Sequence, residues 1–202
     1  MKKFVLGIAG YIGSGKTTAG RYFAELGARF IDADEVVDEL YVKGADGYRK
    51  ILSFFGEEYL KKNGELNRRK LAQTVFGDPK KLRILHDLIH PLVTSRIQQL
   101  IDREGRQFYV LEATYFEKKH LKALIDALLW IECPKDELFR RLQGERGMEK
   151  PLFEKILRIQ VQPPNPDFVV VNNGSLEEFS LQLKKVMESL MKRGVPPFFL
   201  VK

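Results

Sequence analysis

The residues of this chain best suited to chemistry stand near its start. Gly10-Tyr11-Ile12-Gly13-Ser14-Gly15-Lys16-Thr17 carries the spacing GxxxxGK[ST], and Thr18 follows it. Glycines at those positions let backbone N–H groups turn inward around phosphate oxygens, where a Cβ would stand in the way. A helix that opens on Lys-Thr adds N–H donors and the positive end of a helix dipole. Lys16 has the reach to meet β- and γ-phosphates, which makes it a candidate catalytic residue, and the Thr17 hydroxyl suits a place on Mg²⁺. Gly13, Ser14, Gly15, Lys16, Thr17 and Thr18 are therefore the candidate nucleotide-binding set. The competing reading is a glycine-rich turn with a surface lysine. It leaves unexplained the apolar run Phe4–Ala9 before the motif and the helical pattern after it, with Phe23 and Leu26 on one face and Gly27 as a stop.

Residues of that kind need a frame to hold them. Short apolar runs at Phe4–Ala9, Ala28–Ile31, Gln107–Leu111, Ala127–Glu132 and Phe168–Val171 read as strands, with helical periodicity between them. Helices are expected at Thr18–Leu26, Glu35–Tyr41, Phe116–Ile125, Lys135–Gln143, Lys150–Gln162 and Leu176–Met191, with Pro134 in the first helical position. Residues 47–103 read as wholly helical, punctuated by turns at Asn63-Gly64 and Gly77-Asp78-Pro79. This alternation implies an α/β fold: a five-stranded parallel sheet with helices on both faces, linked by right-handed crossovers. The expected organisation is one domain over 1–202. It has a core at 1–45 and 105–202, a helical substrate-binding insertion at about 46–104 and a lid at about 140–166. Ligands of such sheets sit at the carboxyl ends of the strands. Asp32, Asp34 and Glu112 fall there, beside the glycine-rich loop.

Composition narrows the class further. The net charge of +7 asks for an anionic partner, which a substrate and nucleotide carrying several phosphates supply. Basic residues are scattered in pairs such as Arg68-Arg69, Lys80-Lys81 and Arg140-Arg141, a pattern that argues against nucleic acid. The single cysteine, Cys133, excludes an internal disulfide and fits a reducing compartment. It follows an apolar run, as a buried strand-end residue would, and the three histidines stand apart from it. No run reaches the ~18 apolar residues of a membrane span, and cleavage of Met1–Ala9 as a leader would destroy the motif it leads into. The expectation is a cytoplasmic protein, a monomer or weak homo-oligomer, bound to neither membrane nor nucleic acid. The apolar tail Val195–Val201 can dock on the body or on a partner.

The loop motif alone does not separate kinases, GTPases and motor ATPases. No Asn-Lys-x-Asp signature accompanies it, and small size with a helical insertion favours a small-molecule kinase. At this level the chain resembles the dephospho-coenzyme A kinases. The match runs through Gly10–Thr17, Phe23-Ala-Glu-Leu-Gly-Ala28, Ile31-Asp-Ala-Asp34, Phe55-Gly-Glu-Glu58, Asn63–Leu71, Val75-Phe-Gly-Asp-Pro79 and Ile89-His-Pro-Leu-Val93. The resemblance implies transfer of the ATP γ-phosphate, with Mg²⁺, to the ribose 3′-hydroxyl of dephospho-coenzyme A. It implies Asp34 as general base, against a competing role as cap of the helix starting at Glu35. Asp32 can assist the water shell of Mg²⁺. His90 resembles the family's His-Pro at a substrate-facing helix junction, and Arg69 either meets substrate phosphate or pairs with Glu65 one turn back. Arg141, with Arg146 as second choice, is the expected arginine at the transferring group. Two departures stand out: Glu112-Ala-Thr-Tyr-Phe116 replaces the family's Asp and Pro-Leu segment, and the lid after Arg158-Ile-x-x-Gln162 is short. Glu112 is grouped with the substrate-binding residues. Kinases of another hydroxyl, such as a nucleoside or nucleotide, and a non-catalytic nucleotide-binding regulator remain the alternatives.

Overall fold

Strands buried on both faces read as unbroken apolar runs, and the runs of this chain assemble in that way. The computed structural model describes residues 3–103, 107–114, 116, 120–160 and 162–195, apart from the side chains of Arg146 and Ile159. Arg146 as a candidate arginine, Tyr115 and the tail from 196 onward therefore lie outside the described residues and side chains. Among the described residues the strands are β1 (Phe4–Gly10), β2 (Arg29–Asp32), β3 (Phe108–Glu112), β4 (Ala127–Glu132) and β5 (Phe168–Val171). They form one sheet in the order β2-β3-β1-β4-β5, every pair parallel. The helices are α1 (Lys16–Glu25), α2 (Ala33–Leu40), α3 (Asp46–Phe55), α4 (Arg68–Phe76), α5 (Pro79–Arg103), α6 (Lys135–Arg146), α7 (Lys150–Ile159) and α8 (Leu176–Lys192).

Two compact units share these elements, Met1–Asp32 with Gly105–Lys202, and Ala33–Glu104. In the first, the two-residue alternation of the strands sorts side chains by face. Leu6 and Ile8 of β1, Phe108 and Val110 of β3, and Leu129 and Ile131 of β4 meet Phe23 of α1 and Phe179, Leu183 and Met187 of α8 in one buried cluster. Each such side chain contributes about 1.5–3 kcal/mol on burial. The opposite face carries Tyr109, Leu111, Leu128 and Trp130, all buried. Trp130 is sealed by Tyr11, whose ring meets it edge-on at 5.2 Å. Gly7 is small because a Cβ there would stand 2.9 Å from Ile125 and 3.0 Å from Phe116, which cover that face. α8 opens with a capping box: Glu178 N–H donates to Ser175 Oγ at 3.2 Å, and Ser175 N–H donates to Glu178 Oε2 at 2.9 Å.

In the second unit α2, α3 and α4 pack against the long α5. Tyr59 OH donates to Thr74 Oγ1 at 3.1 Å and Tyr48 OH to the Gly64 carbonyl at 2.8 Å, so the two buried phenols are satisfied. Asp78 caps α5 by accepting from Lys80 N at 2.9 Å. Leu60 and Leu66 form an antiparallel bridge around Asn63-Gly64.

Several element ends differ from expectation. α1 begins at Lys16, two residues early, because Gly15 at φ 98 is its N-cap. α2 begins at Ala33, so Asp34 sits inside the first turn and does not cap a helix starting at Glu35. Pro91 does not break α5: the helix runs from Pro79 to Arg103 with Pro91 inside, and no junction exists at His90. Pro134 is the N-cap of α6 instead of its first helical residue, and α6 continues through Gly144 to Arg146. α7 stops at Ile159, short of Gln162. The helix expected at Phe116–Ile125 is, among the described residues, a short 3-10 turn at Leu121–Leu124. No described helix is long and apolar enough to cross a membrane.

Candidate active site

The glycine-rich loop leaves the carboxyl end of β1, a central strand flanked by β3 and β4, and turns into α1. This is the position where the connections of an open parallel sheet diverge and leave a crevice. Gly13 and Gly15 take φ 78 and φ 98, which an L side chain adopts only with strain. Gly10 is small for another reason: a Cβ there would lie 2.5 Å from Ser14 Oγ and 2.6 Å from the Ile131 carbonyl oxygen. Ser14 N–H donates back to Tyr11 O at 3.1 Å, and Lys16 Nζ donates to the same carbonyl at 3.2 Å, so the ammonium curls across the loop. Ser14 is fully buried, and its Oγ has no hydrogen-bond partner among the described residues. Thr18 is exposed. The loop thus has the closed shape and the cation that a polyphosphate requires.

Thr17, in the first turn of α1, donates its hydroxyl to Glu112 Oε1 at 3.2 Å. Glu112 ends β3 in register with Ile8 of β1 and with Asp32 of β2, and it is 7% exposed. The sequence reading separated these residues, giving Thr17 to the metal and Glu112 to the substrate; the fold puts the hydroxyl and the carboxylate together. Paired oxygen ligands of this hard type suit Mg²⁺. Among the described residues no group of three or more His, Cys, Asp and Glu side chains is placed to hold a metal.

Arg141, on α6, reaches the same region from the side of β5. Its Nε donates to Glu137 Oε1 at 2.8 Å, and its Nη2 donates to the Asn172 carbonyl at 3.3 Å. Arg140 holds the other side of Glu137 at 2.9 Å. The hydrogen bonds from Arg140 and Arg141 hold the Glu137 carboxyl down to about 2. Cys133, just past β4, is buried, and burial pushes its thiol up, as suits a packing residue and not a nucleophile.

Three contacts around the loop escaped the sequence reading. Ile12 N–H donates to Gln160 Oε1 at 2.9 Å, so the residue just beyond α7 holds the loop, where the motif reading had singled out Gln162. Leu142 of α6 lies against Gly13, whose Cβ would approach it to 3.1 Å. Asn172, read only as part of a turn, donates Nδ2–H to the Ser14 carbonyl at 2.8 Å. Its signal was available, because it directly follows β5 and so stands at a strand's carboxyl end like Asp32 and Glu112.

The helical unit carries the other candidates. Asp34 lies exposed in the first turn of α2, where a carboxylate is favoured by the helix dipole. Glu65 pairs with Lys61 at 3.0 Å and not with Arg69, which is exposed on α4. The preceding residue, Arg68, makes the contacts in that helix: it pairs with Asp38 and lies over the Tyr41 ring at 5.2 Å. Burial pushes the Tyr41 hydroxyl up to about 12 despite that arginine. His90 is half-buried and stacks on His86 one turn earlier, with ring centroids 4.6 Å apart.

Comparison with known proteins agrees with this geometry. The family model described as dephospho-CoA kinase matches residues 4–178. The dephospho-CoA kinase of Aquifex aeolicus is 33% identical over 192 residues, covering 93% of this chain and 97% of its own. That of Carboxydothermus hydrogenoformans is 30% identical over 193 residues, covering 91% and 93%. Among solved structures, the dephospho-CoA kinase from Campylobacter jejuni superposes with a TM-score of 0.65 at 24% identity, covering 94% of this chain and 98% of that one. A shikimate kinase from Acinetobacter baumannii, solved with shikimate, shares the fold alone, with a TM-score of 0.55 at 16% identity over 96% of each chain. A GxxxxGK[ST] loop at the end of a central strand, in a chain matched over nearly its whole length by relatives of one kind, leads to one conclusion: the chain belongs to the dephospho-CoA kinase family.

Proposed function

We propose the following division of labour for transfer of the γ-phosphoryl group of ATP to the ribose 3′-hydroxyl of dephospho-coenzyme A. Backbone N–H groups from Gly13 to Thr18 hold the triphosphate, and the Lys16 ammonium moves from the Tyr11 carbonyl onto its β- and γ-oxygens. Arg141 spreads its charge over the equatorial oxygens of the moving group. Asp34 orients the acceptor hydroxyl and takes its proton as the new O–P bond forms and the bond to the β-phosphate oxygen breaks. Arg69 and His90 bind the acceptor. Thr17 and Glu112 would hold Mg²⁺, with Asp32 in its water shell; the bound ion supplies charge neutralisation between the β- and γ-phosphates. The reading includes a cytoplasmic location, a monomer or weak homo-oligomer, and no nucleic-acid partner, supported by the scattered basic pairs and lone buried cysteine.

The observation that carries this reading is the loop itself. Gly13 and Gly15 stand at positive φ around Lys16, and the Thr17 hydroxyl rests on a buried carboxylate. The test is a panel of acceptors offered with Mg-ATP, followed by ADP release. Dephospho-coenzyme A is expected to give the highest kcat/KM, above nucleosides, nucleotides and shikimate. Equal or better turnover of a nucleoside would reassign the acceptor, and ATP binding with no turnover of any acceptor would favour a regulator.

A further inference from the structure

We infer that Asn172 is a positioning residue that ties Arg141 to the phosphate-binding loop, so that one amide sets both halves of the triphosphate clamp. The inference rests on the reading of the loop and Arg141 as that clamp. Asn172 is 8% exposed, and its backbone N–H donates to the Glu132 carbonyl at 2.8 Å, which fixes it against the end of β4. Its Nδ2 donates to the Ser14 carbonyl at 2.8 Å. From the other side Arg141 Nη2 donates to the Asn172 carbonyl at 3.3 Å and to Oδ1 at 3.5 Å, the long end of hydrogen bonding. Glu137 Oε1 accepts from Nε of the same guanidinium at 2.8 Å. Glu137, Arg141, Asn172 and Ser14 therefore form one continuous chain of hydrogen bonds across α6, the end of β5 and the loop.

The chemistry explains why an amide stands there. The group must donate to one carbonyl and accept from a guanidinium within one short planar side chain; a carboxylate lacks the donor and an apolar residue lacks both. Its contact with Ser14 also has a consequence for the ligand. A trans peptide points its C=O and its N–H in opposite directions, and no described peptide bond is cis. Anchoring the Ser14 carbonyl on Asn172 therefore directs the Gly15 N–H to the other side of that peptide. In the reading above that side is the phosphate side, and a carbonyl swung into it would repel phosphate oxygens. The fit leaves no slack, because a Cβ on Gly15 would lie 2.4 Å from Asn172 Nδ2. Gly15 is thus a glycine twice over, for φ 98 and for the approach of this amide.

The test separates ATP affinity from turnover. Mg-ATP binding by titration calorimetry, kcat with saturating dephospho-coenzyme A, and thermal unfolding are compared for Asn172→Ala, Asn172→Asp, Arg141→Ala and the Asn172→Ala/Arg141→Ala double variant. Asn172→Ala is expected to weaken ATP binding roughly tenfold or more, since it strips a buried carbonyl of its donor. The double variant is expected to turn over within about twofold of Arg141→Ala alone, because the two residues act as a unit. Asn172→Asp keeps the shape and the acceptor for Arg141 but not the donor; it is expected to lose ATP affinity while preserving the coupling, and it carries the test if the alanine variant is unfolded. Wild-type ATP affinity in a folded Asn172 variant, or turnover losses that simply multiply, would overturn the inference. Wild-type protein that binds Mg-ATP yet leaves dephospho-coenzyme A untouched would defeat the acceptor assignment and leave the ATP-binding arm of the test in force.

Discussion

Glu112 and Asp34 show how a carboxylate's role follows from its immediate surroundings. Glu112 is buried at the end of β3 with the Thr17 hydroxyl on one oxygen, and the role proposed for its charge is to hold a cation. Glu112→Gln preserves size and an acceptor for Thr17 but removes that charge. The Mg²⁺ concentration giving half-maximal activity is expected to rise by roughly tenfold to a hundredfold, the usual effect of disturbing a group that supports a metal ligand. An unchanged Mg²⁺ titration would return Glu112 to the substrate side. Asp34 is exposed in the first turn of α2. Asp34→Asn is expected to lower kcat by about 10²–10⁴-fold with ATP affinity unaltered, the pattern of a lost general base. Near-normal turnover would leave Asp34 a helix-dipole residue only. The residue types at these positions were legible in the sequence. The partner of Glu112 was not, because it lies in another element 95 positions away along the chain.

The elements were legible where local chemistry decides them. Strands buried on both faces left continuous apolar runs, and all of them fell where the periodicity placed them. Ser175 and Glu178 announce α8, and Asn67 caps α4 by accepting from Lys70 N at 3.1 Å. Ends governed by packing were harder: Pro91 stays inside α5, whose buried Ile89, Val93 and Ile97 hold the helix together across the missing donor. The loop-to-helix contact at Gln160 was invisible for the same reason, being tertiary. Gln160→Ala is expected to quicken amide hydrogen exchange at Ile12 well above the wild-type rate, since the N–H loses its acceptor; unchanged exchange would show that the contact does not hold the loop. α6 supplies a pH test. Arg140 and Arg141 hold Glu137 at about 2, below its ordinary 4.5, so the stability this pairing gives is complete above about 4.5 and is lost as pH falls toward 2. Wild type is therefore expected to exceed Glu137→Gln in thermal stability at neutral pH, with the gap closing through that window. A gap that persists below pH 2, or none at pH 7, would contradict it.

At the scale of the whole molecule, charge and fold point the same way. A net +7 on a chain of 202 residues favours polyanions, and ATP with dephospho-coenzyme A supplies phosphates on both sides of the reaction. The five-stranded parallel sheet expected from alternating strand and helix patterns is the sheet observed, and the family resemblance read from Gly10–Thr17 and the segments after it is the family that the relatives share. Loop glycines, strand order and strand-end acids are written locally, each in a few neighbouring residues. The chain of hydrogen bonds through Asn172 is assembled from three separate parts of the fold and became readable only once those parts had converged. The central claim is where the phosphate goes. Phosphorus NMR of the product from Mg-ATP and dephospho-coenzyme A reads this directly. The expected result is ADP together with one new phosphomonoester signal, coupled to the ribose 3′-proton. ADP with inorganic phosphate alone, or a phosphomonoester at any other position, would contradict the account.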